Sequence, residues 1–87
     1  MTEIDSVTKE RAAKLALTIG RLFGVDPATI DDRSSSDSIE KWDSLGTVNL
    51  VSELETEFGI EFDLLEIAEF KNVGTVKQIL RNKGVSV

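Results

Sequence analysis

The chain has 87 residues, none of them cysteine or histidine, so most enzyme and metal chemistry lacks its usual side chains. Its net charge of −6 argues against nucleic-acid binding, which draws its affinity from lysine and arginine at the phosphates. We therefore expect one small domain, residues 1–87, that has no metal site, binds no nucleic acid and is not an enzyme.

No apolar run approaches the roughly 20 residues that a membrane-spanning helix needs. Residues 1–10 are polar and mixed in charge, which does not fit a signal peptide. These observations predict a cytoplasmic protein without a membrane span, and we expect it to be a monomer.

The acidic residues are concentrated in one stretch of the chain. Residues 42–70 contain eight acids and no lysine or arginine, whereas the remainder has eight acids and ten bases. A surface of one sign attracts partners of the opposite sign and speeds their encounter. The alternative interpretation is a solvated helix surface that serves solubility.

The first predicted helix covers residues 8–23, with Gly24 as its stop. Its apolar residues recur at spacings of three and four, as in an amphipathic helix: Ala12, Leu15, Ala16, Ile19, Leu22 and Phe23. Residues 25–41 then contain the only proline and four serines, with Ile30 and Ile39 as isolated apolar positions. We interpret this segment as a long functional loop that lies across the bundle, anchored by the two isoleucines.

A second helix is predicted over residues 44–58, with Asp43 as its N-cap and Gly59 as its stop. The residues expected on its core face are Thr47, Leu50, Val51, Leu54 and Phe58. After this helix, Ile60 and Phe62 indicate a short extended anchor in the core.

Two further helices complete the predicted fold. Asp63 can cap a brief one, whose apolar residues are Leu64, Leu65, Ile67, Ala68 and Phe70. Gly74 is expected to interrupt the chain, and Thr75 to cap a last helix. The residues facing inward on that helix are Val76, Ile79 and Leu80. The predicted fold class is all-α: a bundle of three main helices and one short helix, with a long loop between helices one and two.

Ser44 lies where the long loop meets the second predicted helix. The N-terminus of a helix stabilises an attached phosphate through free backbone N–H groups and the helix dipole. A phosphodiester on Ser44 would therefore lie where the backbone favours it. The alternative is that Ser44 is a capping or N-terminal polar residue, a common role for serine.

The residues around Ser44 form a longer pattern. The tripeptide is Asp43-Ser44-Leu45, and the helix after it reads Thr47-Val48-Asn49-Leu50-Val51, then Leu54 and Glu57-Phe58. This pattern resembles the phosphopantetheine-attachment segment of acyl carrier proteins. The resemblance covers nearly the whole chain in length and helix order, through the acidic stretch to the Thr75-Val76 helix. It is most specific over residues 43–58.

The resemblance implies a cofactor and a site. A separate phosphopantetheinyl transferase would move 4′-phosphopantetheine from coenzyme A to the Ser44 hydroxyl. The thiol of this arm would carry acyl or aminoacyl thioesters between biosynthetic enzymes, which fits a chain without cysteine. Asp43 would help to present Ser44 and would contact the metal site of the transferase.

The resemblance also implies a docking face on the second helix for basic patches on partner enzymes. We expect apolar contacts at Leu45 and Val48, surrounded by acids that include Glu53, Glu57 and Glu61. The implied partners are a loading ligase or acyltransferase and downstream synthases, and salt should weaken their association. The alternative is that Leu45 and Val48 belong to the core, because the sequence does not fix the rotation of the helix.

Three residues depart from the carriers of housekeeping fatty-acid synthesis. Gly46 and Asn49 stand where those carriers commonly have acids, and Trp42 precedes the aspartate where a small residue is usual. Gly46 also costs about 1 kcal/mol of helix stability relative to alanine. The pattern therefore resembles specialised discrete carriers of aminoacyl or small acyl groups, and polyketide-type carriers. We interpret Trp42 as a buried structural residue, with shielding of the arm as the alternative.

Two other classes of function compete with a carrier. The first is an acidic helical interaction module in which Ser44 is unmodified. The second is an enzyme that uses paired carboxylates, such as Asp31 with Asp32 or Glu61 with Asp63. Nothing in the sequence supplies the cleft that such an enzyme needs.

Overall fold

The computed structural model describes the backbone of residues 2–87 and the side chains from Ser6 onward. Within this part of the chain the α-helices are α1 (Thr2–Phe23), α2 (Ser44–Phe58), α3 (Leu64–Ala68) and α4 (Val73–Asn82). A 3₁₀ turn, Pro27–Thr29, lies between α1 and α2, and no strand occurs in the described residues. The predicted all-α bundle of three main helices and one short helix is confirmed.

The ends of α2 are the predicted ones. Asp43 has an extended backbone, and its carboxylate accepts a hydrogen bond from the Gly46 N–H at 2.8 Å. At the other end, Gly59 has a φ of +64°, a conformation that glycine adopts without steric cost. The first turn of α2 is therefore fixed by the residue immediately before Ser44.

The helix α1 begins at Thr2 rather than at residue 8. The prediction followed the apolar stripe, which marks only the part of a helix that packs on its neighbours. Residues 2–7 contain no glycine or proline, so no residue among them breaks the helix. The correction concerns the length of α1 and leaves its packed part as predicted.

The helix α4 begins at Val73, so the expected start at Thr75 is wrong. The cap is Asn72, whose side-chain oxygen accepts from the Thr75 N–H at 2.8 Å and from the Thr75 hydroxyl at 3.0 Å. Gly74 lies inside the helix rather than interrupting it, and a Cβ there would come within 3.2 Å of the Asp32 carbonyl oxygen. Because Gly74 has no side chain, α4 and the long loop can approach each other closely.

One apolar core joins α1, α2, α4 and the connecting segments. Its buried residues are Leu15, Ile19, Phe23, Ile39, Trp42, Leu50, Val51, Leu54, Phe62, Phe70, Val73, Val76, Ile79, Leu80, Val85 and Val87. The short helix α3 contributes none of them, and its Leu64 and Leu65 are 84% and 82% exposed. None of the helices in residues 2–87 combines the length and apolar character that crossing a membrane requires.

The long loop is tied to the start of α4 by backbone hydrogen bonds. The Val73 N–H donates to the Ser34 carbonyl and the Gly74 N–H to the Asp32 carbonyl, both at 2.9 Å. The Lys77 ammonium also donates to the Asp32 carboxylate at 2.7 Å. The loop is therefore ordered and lies across the bundle, and the buried side chain of Ile39 anchors it in the core.

The helices α1 and α2 run antiparallel. The Thr18 hydroxyl donates to Glu57 near the C-terminal end of α2, at 2.7 Å. Phe23, at the end of α1, lies instead against Gly46 in the first turn of α2. This arrangement places Ser44 beside the C-terminal end of α1.

Candidate functional site

Ser44 is the first residue of α2, and it is exposed. The Asp43 carboxylate accepts from the Gly46 N–H, and the Asp43 carbonyl accepts from the Thr47 N–H at 2.8 Å. The N–H groups of Ser44 and Leu45 belong to the first turn, where a helix has no internal acceptor for them. Asp43 rather than Ser44 is the cap, so the Ser44 hydroxyl is not used in holding the helix end.

This end of α2 suits a phosphoryl group attached to Ser44. A phosphate oxygen there can accept from the N–H groups of the first turn, and the helix dipole favours its negative charge. The exposed hydroxyl is also open to a second protein. The donors at the site fit the phosphodiester of a 4′-phosphopantetheine arm.

The structure gives Gly46 a role that the sequence did not indicate. A Cβ at Gly46 would overlap the Lys41 carbonyl oxygen and lie 2.9 Å from the Cε1 atom of Phe23. Only glycine therefore lets the segment before Ser44 close against α2. Packing therefore explains why this position has no acidic residue. The glycine lowers the helix propensity of α2, and the close approach of the two segments requires it.

Trp42 lies beneath the site. Its side chain is 2% exposed and stacks on Phe23, with the ring centroids 5.6 Å apart, so the interpretation as a buried residue is confirmed. The indole N–H has no hydrogen-bond acceptor among the described residues. The indole ring packs underneath the turn that leads into α2.

Leu45 and Val48 are 70% and 59% exposed, so the alternative that they belong to the core is wrong. They share an exposed stripe of α2 that carries no charge. The residues of this stripe are Leu45, Val48, Asn49, Ser52 and Thr56. The stripe begins next to Ser44 and runs along the solvent side of the helix.

The glutamates of α2 lie away from that stripe. Glu53 accepts from Arg21 at 3.2 Å, and Glu57 accepts from Thr18, so both turn toward α1. The second carboxylate oxygen of Glu57 is buried without a donor among the described residues. Glu55 accepts from the Phe62 N–H at 2.9 Å. The structure therefore does not gather Glu53 and Glu57 around Leu45 and Val48.

Glu61 lies in the connection between α2 and α3 and is exposed. Other exposed acids of the acidic stretch are Asp43, Asp63 and Glu69. They occupy the two ends of α2 and the α3 segment. These exposed residues form an acidic surface, whereas the glutamates within α2 bond to residues of neighbouring elements.

Three of the four carboxylates considered for catalysis have structural partners among the described residues, and Glu61 is the exception. Asp32 binds Lys77, and Asp31 accepts from the Arg33 N–H at 2.9 Å. Asp63 accepts from the Glu66 N–H at 2.8 Å as the cap of α3. In the described part of the chain, no group of three or more acidic side chains is arranged to hold a metal ion.

A groove beside Ser44 was missed by sequence reasoning. It encloses about 190 Å³ between the end of α1, the segment before α2 and the first turns of α2. Its lining residues are Leu22, Phe23, Lys41, Asp43, Leu45, Gly46 and Asn49. These residues are spread over the sequence, so no short pattern marks the groove.

Comparison with known families agrees with this geometry. A family model described as a phosphopantetheine attachment site matches residues 13–80, a span that includes Ser44 and the packed part of all the helices. A comparison with curated proteins finds no match to this chain.

Proposed function

The chain belongs to the phosphopantetheine-attachment family, and from this we propose that Ser44 carries the 4′-phosphopantetheine arm of an acyl or aminoacyl carrier. Proteins of this family hold the group covalently on a serine and work with a phosphopantetheinyl transferase and synthase enzymes. The observation that carries the assignment to Ser44 is its exposed position at the start of α2, with the cap supplied by Asp43.

Attachment is a phosphoryl transfer from coenzyme A. A bond forms between Ser44 Oγ and the phosphorus next to pantetheine, while the bond from that phosphorus to the bridging oxygen of the pyrophosphate breaks. Adenosine bisphosphate leaves with the bridging oxygen, and the hydroxyl proton passes to the transferase or solvent. The arm supplies a thiol that holds the cargo as a thioester. The protein positions this group and catalyses no step itself.

Asp43 has two roles in this proposal. Its carboxylate fixes the first turn of α2 through the Gly46 N–H, and this holds Ser44 at the surface. Because Asp43 is itself exposed, one carboxylate oxygen also stays accessible to the metal site of the transferase.

Partner enzymes dock on Leu45 and Val48, the exposed apolar residues nearest Ser44. Exposed acids, of which Glu61 is one, attract basic patches on the transferase, the loading ligase or acyltransferase, and the downstream synthases. Glu53 is paired with Arg21 and Glu57 is turned toward Thr18 of α1, so both carboxylates are less accessible to a partner than that of Glu61.

The cargo belongs to a specialised pathway, either aminoacyl, small acyl or polyketide, rather than to central fatty-acid synthesis. Asn49 supports this assignment because a neutral amide lies on the exposed stripe where housekeeping carriers commonly have an acid. Gly46 does not support the assignment to a specialised pathway, because packing requires a glycine at this position.

The test is intact-protein mass spectrometry after incubation with coenzyme A, magnesium and a broad-specificity phosphopantetheinyl transferase. The native chain should gain one phosphopantetheinyl group. Ser44→Ala should gain none, while Ser52→Ala, which removes another exposed serine of α2, should behave as the native chain. If no transferase modifies the native chain, an unmodified interaction module becomes the better assignment.

A further inference from the structure

The groove beside Ser44 adjoins the proposed attachment point. Asp43 and Leu45 both line it, and they are the two chain neighbours of Ser44. A group attached to the Ser44 hydroxyl therefore starts at the edge of this groove. The other walls come from the end of α1 at Leu22 and from Lys41.

The size of the groove favours a tethered occupant. Its volume of about 190 Å³ is below the roughly 300–1,000 Å³ of pockets that hold free drug-sized ligands. A group tethered by a short flexible link has an effective concentration in the mM range, so modest complementarity suffices to hold it.

The lining offers three kinds of contact in a small space. Leu22 and Leu45 supply apolar surface, and the Asn49 amide supplies two N–H donors and a carbonyl acceptor. The Lys41 ammonium lies near Gly24, 3.8 Å from the position that a Cβ of Gly24 would take, and forms no ion pair with the described residues. Lys41, which lines the groove, therefore supplies a cation next to the end of α1 that no described acid neutralises.

These contacts match the chemistry of phosphopantetheine in the order in which the arm leaves the serine. The phosphodiester is an anion, the carbon that follows it bears two methyl groups, and secondary amides come after. A cation, an apolar wall and an amide are the groups that complement them. Leu64 and Leu65 of α3 also offer exposed apolar surface among acids, but that surface complements only the methyl groups of the arm.

We propose that the arm on Ser44 lies in the groove between the end of α1 and the first turns of α2. Lys41 faces the phosphodiester, Leu22 and Leu45 contact the two methyl groups, and the Asn49 side chain bonds an amide of the arm. The inference rests on the proposed function, because it requires the arm to be attached to Ser44.

The experiment uses protein labelled with ¹³C and ¹⁵N that carries an unlabelled arm, with full modification verified by mass spectrometry. Isotope-filtered NOE spectra then report only contacts between the arm and the protein. The expected result is NOEs from the two methyl groups of the arm to the methyl groups of Leu22 and Leu45. Attachment of the arm should also shift the Asn49 side-chain amide resonances.

Variants test the polar contacts without touching the core. Lys41→Ala and Asn49→Ala together should abolish the NOEs to Leu22, whereas Ser52→Ala should retain them because Ser52 does not line the groove. NOEs to Leu64 or Leu65 instead, or a modified protein with no arm NOE at all, would overturn the inference while leaving the carrier function intact. A chain that no transferase modifies overturns the proposed function itself, and the groove assignment with it.

Discussion

Gly46 controls how the segment before Ser44 meets α2. Its missing side chain lets the Lys41 carbonyl and the Phe23 ring approach the helix backbone. The sequence alone suggests a weak point in the helix, because glycine is a poor helix former. That interpretation fails because the contacting groups come from other parts of the chain, and local propensity carries no information on them.

Gly46→Ala is expected to destabilise the fold although alanine is the better helix former. The added methyl group gains about 1 kcal/mol in helix propensity, but overpacking at a close backbone contact typically costs about 1–3 kcal/mol or more. Urea unfolding of the native chain and the variant measures the difference. Ser52→Ala, on the exposed stripe of the same helix, is the control and should be neutral or slightly stabilising. A Gly46→Ala protein as stable as the control would show that the segment around Lys41 moves aside freely.

Among the elements, α3 packs on the core only through the partly buried Ile67, and polar bonds at its ends anchor it further. No residue of α3 is fully buried. Asp63 and Glu66 form a reciprocal capping box, and the Lys83 ammonium lies 2.8 Å from the same Glu66 oxygen that accepts from the Asp63 N–H. These bonds tie α3 to the end of α4. The hydrogen bond from Lys83, together with that from the Asp63 N–H, lowers the pKa of Glu66 from its ordinary value of 4.5.

The lowered pKa of Glu66 predicts a contribution to stability that depends on pH. Because the carboxyl binds its proton more weakly in the folded state, the contribution is complete above about pH 4.5. It is lost as the pH falls through the lowered pKa. Glu66→Gln should therefore reduce stability near neutral pH, and its deficit should shrink as the pH falls from neutral to below 4.5. Urea midpoints across this range measure it, with Glu69→Gln at the end of the same helix as the control. A deficit that is the same at both ends of the range would contradict the linkage.

The sequence predicts where α2 begins and ends better than it predicts where α4 begins. Both ends of α2 follow from Asp43 and Gly59, since a capping aspartate and a glycine with positive φ are local signals. The start of α4 was placed wrongly because Asn72 and Thr75 are both good caps, and the close approach of Asp32 to Gly74 decides between them. Tertiary contacts fix what local residue preferences leave open.

Across the whole molecule, the acidic stretch divides into engaged and exposed carboxylates. The sequence predicts its net charge, and it predicts that Leu45 and Val48 lie off the core stripe. It does not predict that Glu53 and Glu57 turn toward Arg21 and Thr18, because that depends on how α1 packs against α2. The groove beside Ser44 was not predicted for the same reason.

This division predicts unequal effects of an exposed glutamate and an ion-paired one on partner binding. Glu61→Gln removes one net negative charge and should slow association with the phosphopantetheinyl transferase, whereas Arg21→Gln together with Glu53→Gln removes a neutral pair and should change the rate little. The difference should fade as added salt shortens the screening length to about 8 Å at physiological ionic strength and below that at higher salt. Association rates at low and high salt, measured by stopped flow, provide the comparison. Equal slowing by both variants, or rates that are indifferent to salt, would contradict steering by the exposed acids.

Trp42 is the only tryptophan of the chain, and it is buried within two residues of Ser44. Its indole is shielded from water by Phe23 and by the packing that Gly46 permits. The ultraviolet emission of the protein therefore originates from one chromophore directly under the candidate attachment site. A shift of this emission to longer wavelength reports the opening of that turn, so the site carries its own optical probe, and no dye is needed to follow it.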